Sequence, residues 1–131
     1  MPKIRVRDRG GGHAEIYYGE KEVGYINYQH NISSVDPLPR KHLYSAFLNI
    51  APEYRGLGIG SQAYKLWAAL RKMQGDTVIR GYPLSYRSRK LMRSVGYVED
   101  PTYPMLLTFE EHPNRDVRGS MMRLTLKRLR L

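Results

Sequence analysis

The chain has 131 residues, 41% apolar and 26% charged, which is the size and balance of one globular domain and excludes a disordered segment. It has no cysteine, which excludes disulfides, thiolate metal sites and a cysteine nucleophile. Lys and Arg total 22 against 12 acidic residues, and the net charge of +10 fits an anionic partner such as nucleic acid, an anionic membrane surface or a phosphorylated ligand.

Residues 3–7 alternate, with Ile4 and Val6 on one face and Lys3, Arg5 and Arg7 on the other, the period of a half-buried strand. Gly10-Gly11-Gly12 ends it. Residues 14–18 form a second predicted strand, and Gly19-Glu20 turns the chain into a third over residues 21–29, a hairpin signal. Residues 30–41 hold Asn31, Ser33, Ser34, Asp36, Pro37 and Pro39 and read as a loop. Residues 42–50 are mostly apolar, as in a central strand buried on both faces. The period then changes. Ala63, Leu66, Trp67, Leu70 and Met73 recur at helical spacing, and Gly75 is a natural stop. A short strand is predicted at residues 77–81. A second helix follows at 84–94, with Leu84, Leu91, Met92 and Val95 as core contacts and Gly96 as its end. Strands at residues 103–109 and 121–129 flank a polar loop at 110–120. The order β-β-β-β-α-β-α-β-β over a single domain, residues 1–131, predicts an α/β (α+β) fold with a sheet of mixed direction. No signal peptide or transmembrane span is visible, which with the missing cysteine fits a cytoplasmic protein.

The chemistry concentrates in Leu48-Asn49-Ile50-Ala51-Pro52-Glu53-Tyr54-Arg55-Gly56-Leu57-Gly58-Ile59-Gly60-Ser61, a strand, a Gly-rich turn and a helix start. Free N–H groups and the helix dipole make such a start an anion site, and glycine lets the backbone approach phosphate closely. A pyrophosphate fits the amides of Leu57, Gly58, Ile59, Gly60 and Ser61, with Arg55 adding a charge or bracing the loop. The P-loop motif fails because no Lys follows Gly60, and the dinucleotide fingerprint fails because the glycines fall at 56, 58 and 60. A plain turn with coincidental glycines competes on glycine count alone.

The wider context resembles the GNAT superfamily of acyl-CoA N-acyltransferases. The family signature [QR]-x-x-G-x-[GA] reads here Arg55-Gly56-Leu57-Gly58-Ile59-Gly60, and Arg89-Lys90-Leu91-Met92-Arg93-Ser94-Val95-Gly96-Tyr97 is similar to the family's second helix with its Gly-aromatic end. The resemblance implies a mostly antiparallel GNAT-like sheet and transfer of an acetyl or related acyl group from acyl-CoA to an amine, by direct attack and without a metal. The donor, acetyl-CoA or another acyl-CoA, would lie in a gap between the central strand and its parallel neighbour. Backbone groups of Asn49 and Ile50 would hold its pantetheine arm. Two departures stand out. The family's two helices after the first strand have no room here, and the tyrosine that protonates the departing thiolate is replaced by Met92. His42, with Tyr44 on the same strand face, is the candidate base; Tyr86 and Ser85 are candidates for the missing acid.

Three basic stripes remain: Arg5, Arg7 and Arg9; Arg80, Arg87, Arg89, Lys90 and Arg93; and Arg123, Lys127, Arg128 and Arg130. They exceed what CoA alone requires. A GNAT-related enzyme or CoA-binding module acting on nucleic acid (tRNA or a DNA base) is therefore the alternative to an amine acceptor, and a solvated face is the plain one.

Overall fold

The computed structural model describes residues 2–30, 42–83, 85–100, 106–108 and 118–129, with the backbone alone at residues 30, 42–47, 106–108, 118–120 and 128. The alternating N-terminal runs form the strands β1 (Ile4–Asp8), β2 (His13–Tyr18) and β3 (Lys21–His30), and the apolar run forms β4 (His42–Ile50). Helix α1 (Ile59–Met73), strand β5 (Val78–Gly81) and helix α2 (Tyr86–Val95) follow. The short strands β6 (Val98–Glu99), β7 (Leu106–Thr108), β8 (Arg118–Ser120) and β9 (Met122–Thr125) close the described chain. Seven strands share one sheet in the order β1-β2-β3-β4-β5-β9-β6, and β7 pairs with β8. Only β4 and β5 run parallel; the other described pairs are antiparallel. That parallel pair needs a crossover, which α1 supplies.

The core lies between α1 and one face of the sheet. Ala14, Ile16, Val23, Ile26 and Tyr28 meet Ile59, Ala63, Tyr64, Trp67 and Ala68. Trp67 is fully buried, with the Tyr28 and Tyr64 rings at 5.2 and 5.3 Å, so it is core as its spacing suggested. Ala63 is buried as expected as well, but Leu66 and Met73 of the expected α1 stripe are corrected. Leu66 is 41% and Met73 78% exposed, while Tyr64, Ala68 and Arg71 are buried. The helix is buried along two flanks, the sheet and α2, and small or amphipathic side chains fill those flanks.

Helix α2 starts later than predicted because Ser85 caps it: its side chain accepts a hydrogen bond from the Ser88 N–H at 3.0 Å. Gly96 ends it in the left-handed conformation. The last predicted strand is shorter than its alternation suggested. It stops at Thr125 and enters a 3-10 turn, Leu126–Arg128, where the Leu126 N–H bonds the Thr77 carbonyl at 2.9 Å and its side chain is fully buried. Strand β8 lies where a polar loop was expected, and β6 is too short to show a period. The expected loop at 31–41, Leu84 and most of the span 101–117 lie outside the described residues. No described helix is long and apolar enough to cross a membrane.

Two buried ionic clusters tie the elements together. Arg71 on α1 reaches Asp76 at 2.7 Å, Asp8 at 2.9 Å and the Tyr28 hydroxyl at 3.1 Å. Burial pushes the Asp8 carboxyl up, but hydrogen bonds from Tyr28, the Gly10 N–H and Arg71 outweigh it and hold it below its ordinary 3.8. On the far side, fully buried Asp100 accepts from Arg80 at 2.8 Å and Arg123 at 3.4 Å.

Removing Arg71 strands two carboxylates, so Arg71→Met is expected to cost about 3–5 kcal/mol in urea unfolding. Because Asp8 titrates lower in the folded than the unfolded state, its stabilisation is present above pH 3.8 and lost as pH falls through the depressed value. Asp8→Asn is expected to flatten this acid loss, measured as the urea midpoint at pH 6 against pH 3.

Candidate functional site

The site begins where a ladder ends. Strands β4 and β5 pair over only three positions, His42 with Val78, Leu43 with Ile79 and Tyr44 with Arg80. Strand β4 runs on to Ile50, while β5 stops at Gly81. On its other side β4 follows β3 with a register shift: Phe47 opposes Asn27 and Ser45 opposes Tyr28, which leaves Ala46 as an extra residue. A bulge of this kind bends its strand, and here it falls where β4 leaves β5.

A cavity of about 790 Å³ opens in that gap. Leu48, Asn49 and Ile50 of β4 form one wall; Tyr82, Ser85, Ser88, Leu91 and Met92 form the other; the start of α1 closes one end. Asn49, Ile50, Arg55, Gly56, Gly58, Ile59, Gly60 and Ser61 all line it. Leu57 does not. It is 56% exposed and faces a separate groove beside Pro2 and Lys3.

Strand alternation assigns the backbone groups of β4. The Ala51 N–H bonds the Val23 carbonyl at 2.7 Å, so the Asn49 groups also face β3 and those of Leu48 and Ile50 face the gap. The expected roles therefore divide: Ile50 offers backbone to the gap, whereas Asn49 is held in the ladder and lines the cavity. The Ile50 carbonyl is occupied by the Arg55 guanidinium at 2.8 Å. Arg55 thus braces the turn to the strand.

Helix α1 begins with Gly58, whose φ is +77° and which supplies no side-chain cap. The Gln62 N–H bonds the Gly58 carbonyl at 3.3 Å, which leaves the N–H groups of Ile59, Gly60 and Ser61 ahead of the first helical bond. The helix dipole and Arg55 make this end of the cavity positive, Arg87 of α2 adds a cation to the lining, and no carboxylate is among its described lining residues.

The candidate proton-transfer residues scatter. His42 and Tyr44 sit on the paired segment of β4, and their side chains lie outside the described residues. Ser85 lines the cavity, but its hydroxyl caps α2 and lies 2.9 Å from the Ser88 hydroxyl. Tyr86 is not a lining residue; its ring lies under the Lys90 ammonium, 5.1 Å away. Met92 does line the cavity and is nearly fully buried. Tyr64 and Tyr82 were missed. Tyr64 was hidden in the helical period. Tyr82 had a legible signal, since it follows the carboxyl end of a parallel strand, where open α/β sheets bind ligands.

The basic stripes are partly consumed by ion pairs. Arg80 pairs with buried Asp100, Arg123 with the same carboxylate, and Arg9 with Glu15. Arg89 and Arg93 both reach Glu99, at 2.8 and 2.9 Å. Among the described residues, no group of three or more His, Asp or Glu side chains is placed to hold a metal ion.

Residues 2–97 match the model of the acetyltransferase (GNAT) family. No curated protein matches the chain. Solved structures with the same fold include the ribosomal-protein-S18-alanine N-acetyltransferase from Escherichia coli (13% identity, TM-score 0.63, covering 90% of this chain and 72% of that one). YncA from Salmonella typhimurium, solved with its cofactor acetyl-CoA, is similar at 16% identity and TM-score 0.62, over 87% of this chain and 64% of that one. Naa50 from Arabidopsis thaliana, in complex with the bisubstrate analogue CoA-Ac-MVNAL, is similar at 16% identity and TM-score 0.57, over 86% and 72%.

The turn separates its glycines by conformation. Gly58 needs a left-handed backbone, whereas a methyl group at Gly60 would meet Leu48, Leu91 and Ile50 at ordinary distances of 3.5–3.6 Å. Gly58→Ala is therefore expected to lose about 1–2 kcal/mol. Gly60→Ala, inside the helix, is expected to be neutral or to gain up to about 1 kcal/mol. Urea unfolding of both variants checks this.

Proposed function

The chain belongs to the acetyltransferase (GNAT) family of acyl-CoA-dependent N-acyltransferases, and we propose that it moves an acetyl or related acyl group from acyl-CoA to a primary amine by direct attack on the thioester. The observation that carries this reading is the gap between β4 and β5: it ends on the unpaired amides of α1 and has no carboxylate among its described lining. The CoA pyrophosphate sits on the Ile59, Gly60 and Ser61 amides. Arg55 holds the turn to Ile50, and Arg87 adds charge at the mouth. The pantetheine arm runs along β4, where the Leu48 and Ile50 N–H groups face it. Leu48, Leu91 and Met92 exclude water, which strengthens any hydrogen bond to the polarised carbonyl. Tyr44 stands next to the point where the gap opens. His42 lies roughly 10 Å from Ser45 along the strand and serves as base through water. Ser85 and Tyr86 make weaker acids, given the cap and the Lys90 contact described above.

Strand β9 lies between β5 and β6, so residues beyond 97 complete the same sheet, which supports one acyltransferase domain over residues 1–131. The strands β1 and β2 join through a short glycine turn, which supports an acceptor side without the family's two N-terminal helices. An amine of peptide type has a parallel in the peptide-bearing analogue bound by the Arabidopsis protein. The nucleic-acid alternative gains nothing from the site, since several arginines of the basic stripes are already paired.

Acetyl-CoA at about 100 times its Kd is expected to stabilise the protein by about 2.7 kcal/mol, seen as a rise of several degrees in Tm. Release of CoA thiol in the presence of primary amines is expected to accompany it. No shift in Tm at millimolar acetyl-CoA would overturn the reading.

A further inference from the structure

The acyl-transfer reading leaves the departing thiolate with only the weaker acids Ser85 and Tyr86, because Met92, on the cavity wall of α2, carries no transferable proton. This inference rests on that reading. Among the described residues, three tyrosines line the cavity, Tyr54, Tyr64 and Tyr82. Tyr64 is buried, and its hydroxyl is bonded to the Tyr97 hydroxyl at the α1–α2 contact. Tyr54 belongs to the 3-10 turn Pro52–Tyr54 before the phosphate end, with the Tyr18 ring against its edge and the Lys21 ammonium over its face. It stands at the wrong end of the cavity for the thioester.

Tyr82 is placed differently. It follows Gly81, the last residue of β5, and stands two residues past Arg80, the last ladder partner of β4. That is the narrow end of the gap, across from the bulge at Ala46 where β4 turns away. The strand beneath it is anchored, since Arg80 is locked to buried Asp100. The Tyr82 hydroxyl makes no hydrogen bond to any described residue. Among the described cavity tyrosines, it is the one that combines an uncommitted proton with a position at the reacting end.

We propose that Tyr82 is the general acid of this enzyme, taking over the task that the α2 position cannot perform. The amine lone pair attacks the thioester carbonyl carbon and forms the new C–N bond. The C–S bond breaks and its electron pair goes to sulfur. The Tyr82 hydroxyl hydrogen-bonds to the sulfur as charge develops and passes its proton there, giving CoA thiol and a tyrosinate. The proton lost by the amine nitrogen passes through water to the base, His42, and from there through water back to the tyrosinate, so each turnover conserves protons. Burial raises the pKa of the Tyr82 phenol above the usual 10.0, which keeps the proton on it throughout the neutral range.

The test uses the full chain, with acetyl-CoA affinity from calorimetry and turnover from CoA thiol release, with water and with a panel of primary amines. Tyr82→Phe is expected to keep the affinity within about twofold while kcat falls about a hundredfold or more. The alkaline limb of the wild-type pH profile, set by loss of the phenol proton, is expected to disappear in the variant. Adding Met92→Tyr to Tyr82→Phe is expected to recover at least about tenfold in kcat, because a phenol is restored on the same wall of the cavity. A Tyr82→Phe variant with kcat within threefold of wild type and the same pH profile overturns the assignment and leaves the acyl-transfer reading standing. So does a loss confined to acetyl-CoA affinity. A wild-type protein that neither binds acetyl-CoA nor releases CoA sinks the acyl-transfer reading, and the Tyr82 assignment falls with it.

Discussion

The structure depends on a ladder that is made to fail. Parallel strands normally pair along their full shared length, because each unpaired backbone group in a protein interior is costly. Here β4 and β5 pair over three positions and then part. The parting exposes the backbone of Leu48 and Ile50 to a cavity and brings the start of α1 to one end of it. A ligand that carries its own hydrogen-bonding groups along an extended arm, and an anion at one end, can replace the missing strand. The side chains around the gap follow from this. Arg55 covers the Ile50 carbonyl, and the extra residue at Ala46 lets β4 change direction without losing β3.

A sheet with such a break needs support on both sides, and the two ionic clusters supply it. Arg71, near the end of α1, joins Asp8 at the end of β1, Asp76 just past the helix and Tyr28 of β3. Asp100 joins β5 to β9 through Arg80 and Arg123. Each cluster buries charge, which is tolerable only because the geometry satisfies both partners. The second cluster also fixes the strand that ends at Tyr82, so the same contacts that complete the fold set one wall of the cavity. The clusters change the meaning of the net charge as well. Arg80, which read as part of a surface stripe, is an internal strut balanced by Asp100, so the excess of +10 is carried by other side chains.

The sequence by itself determined the order of strands and helices through α2, the first four strands, the position of the phosphate turn and the family likeness. These are local properties. Period-two alternation, a helical period and glycines at 56, 58 and 60 act over a few neighbouring residues, and the backbone they dictate is the one observed: Gly58 takes the left-handed conformation that its place in the signature requires. Most residues expected at the donor site line one cavity for the same reason, since they are consecutive in the chain.

Only the tertiary structure decided the rest. Which face of α1 is buried depended on α2 and the sheet together, so Leu66 and Met73 are exposed while Arg71 and Tyr64 are inside. Asn49 and Ile50 are adjacent in sequence but turn their backbone groups opposite ways, because β3 claims one set and leaves the other to the gap. Arg80 read as part of a basic patch until Asp100, twenty residues on, was seen to neutralise it. Tyr82 carried no motif; its place at the narrow end of the gap exists only because β4 and β5, separated in the chain by the whole of α1, run side by side and then diverge. Pairing between distant segments is set by the balance of burial and hydrogen bonding over the whole sheet, and no short window of sequence contains it.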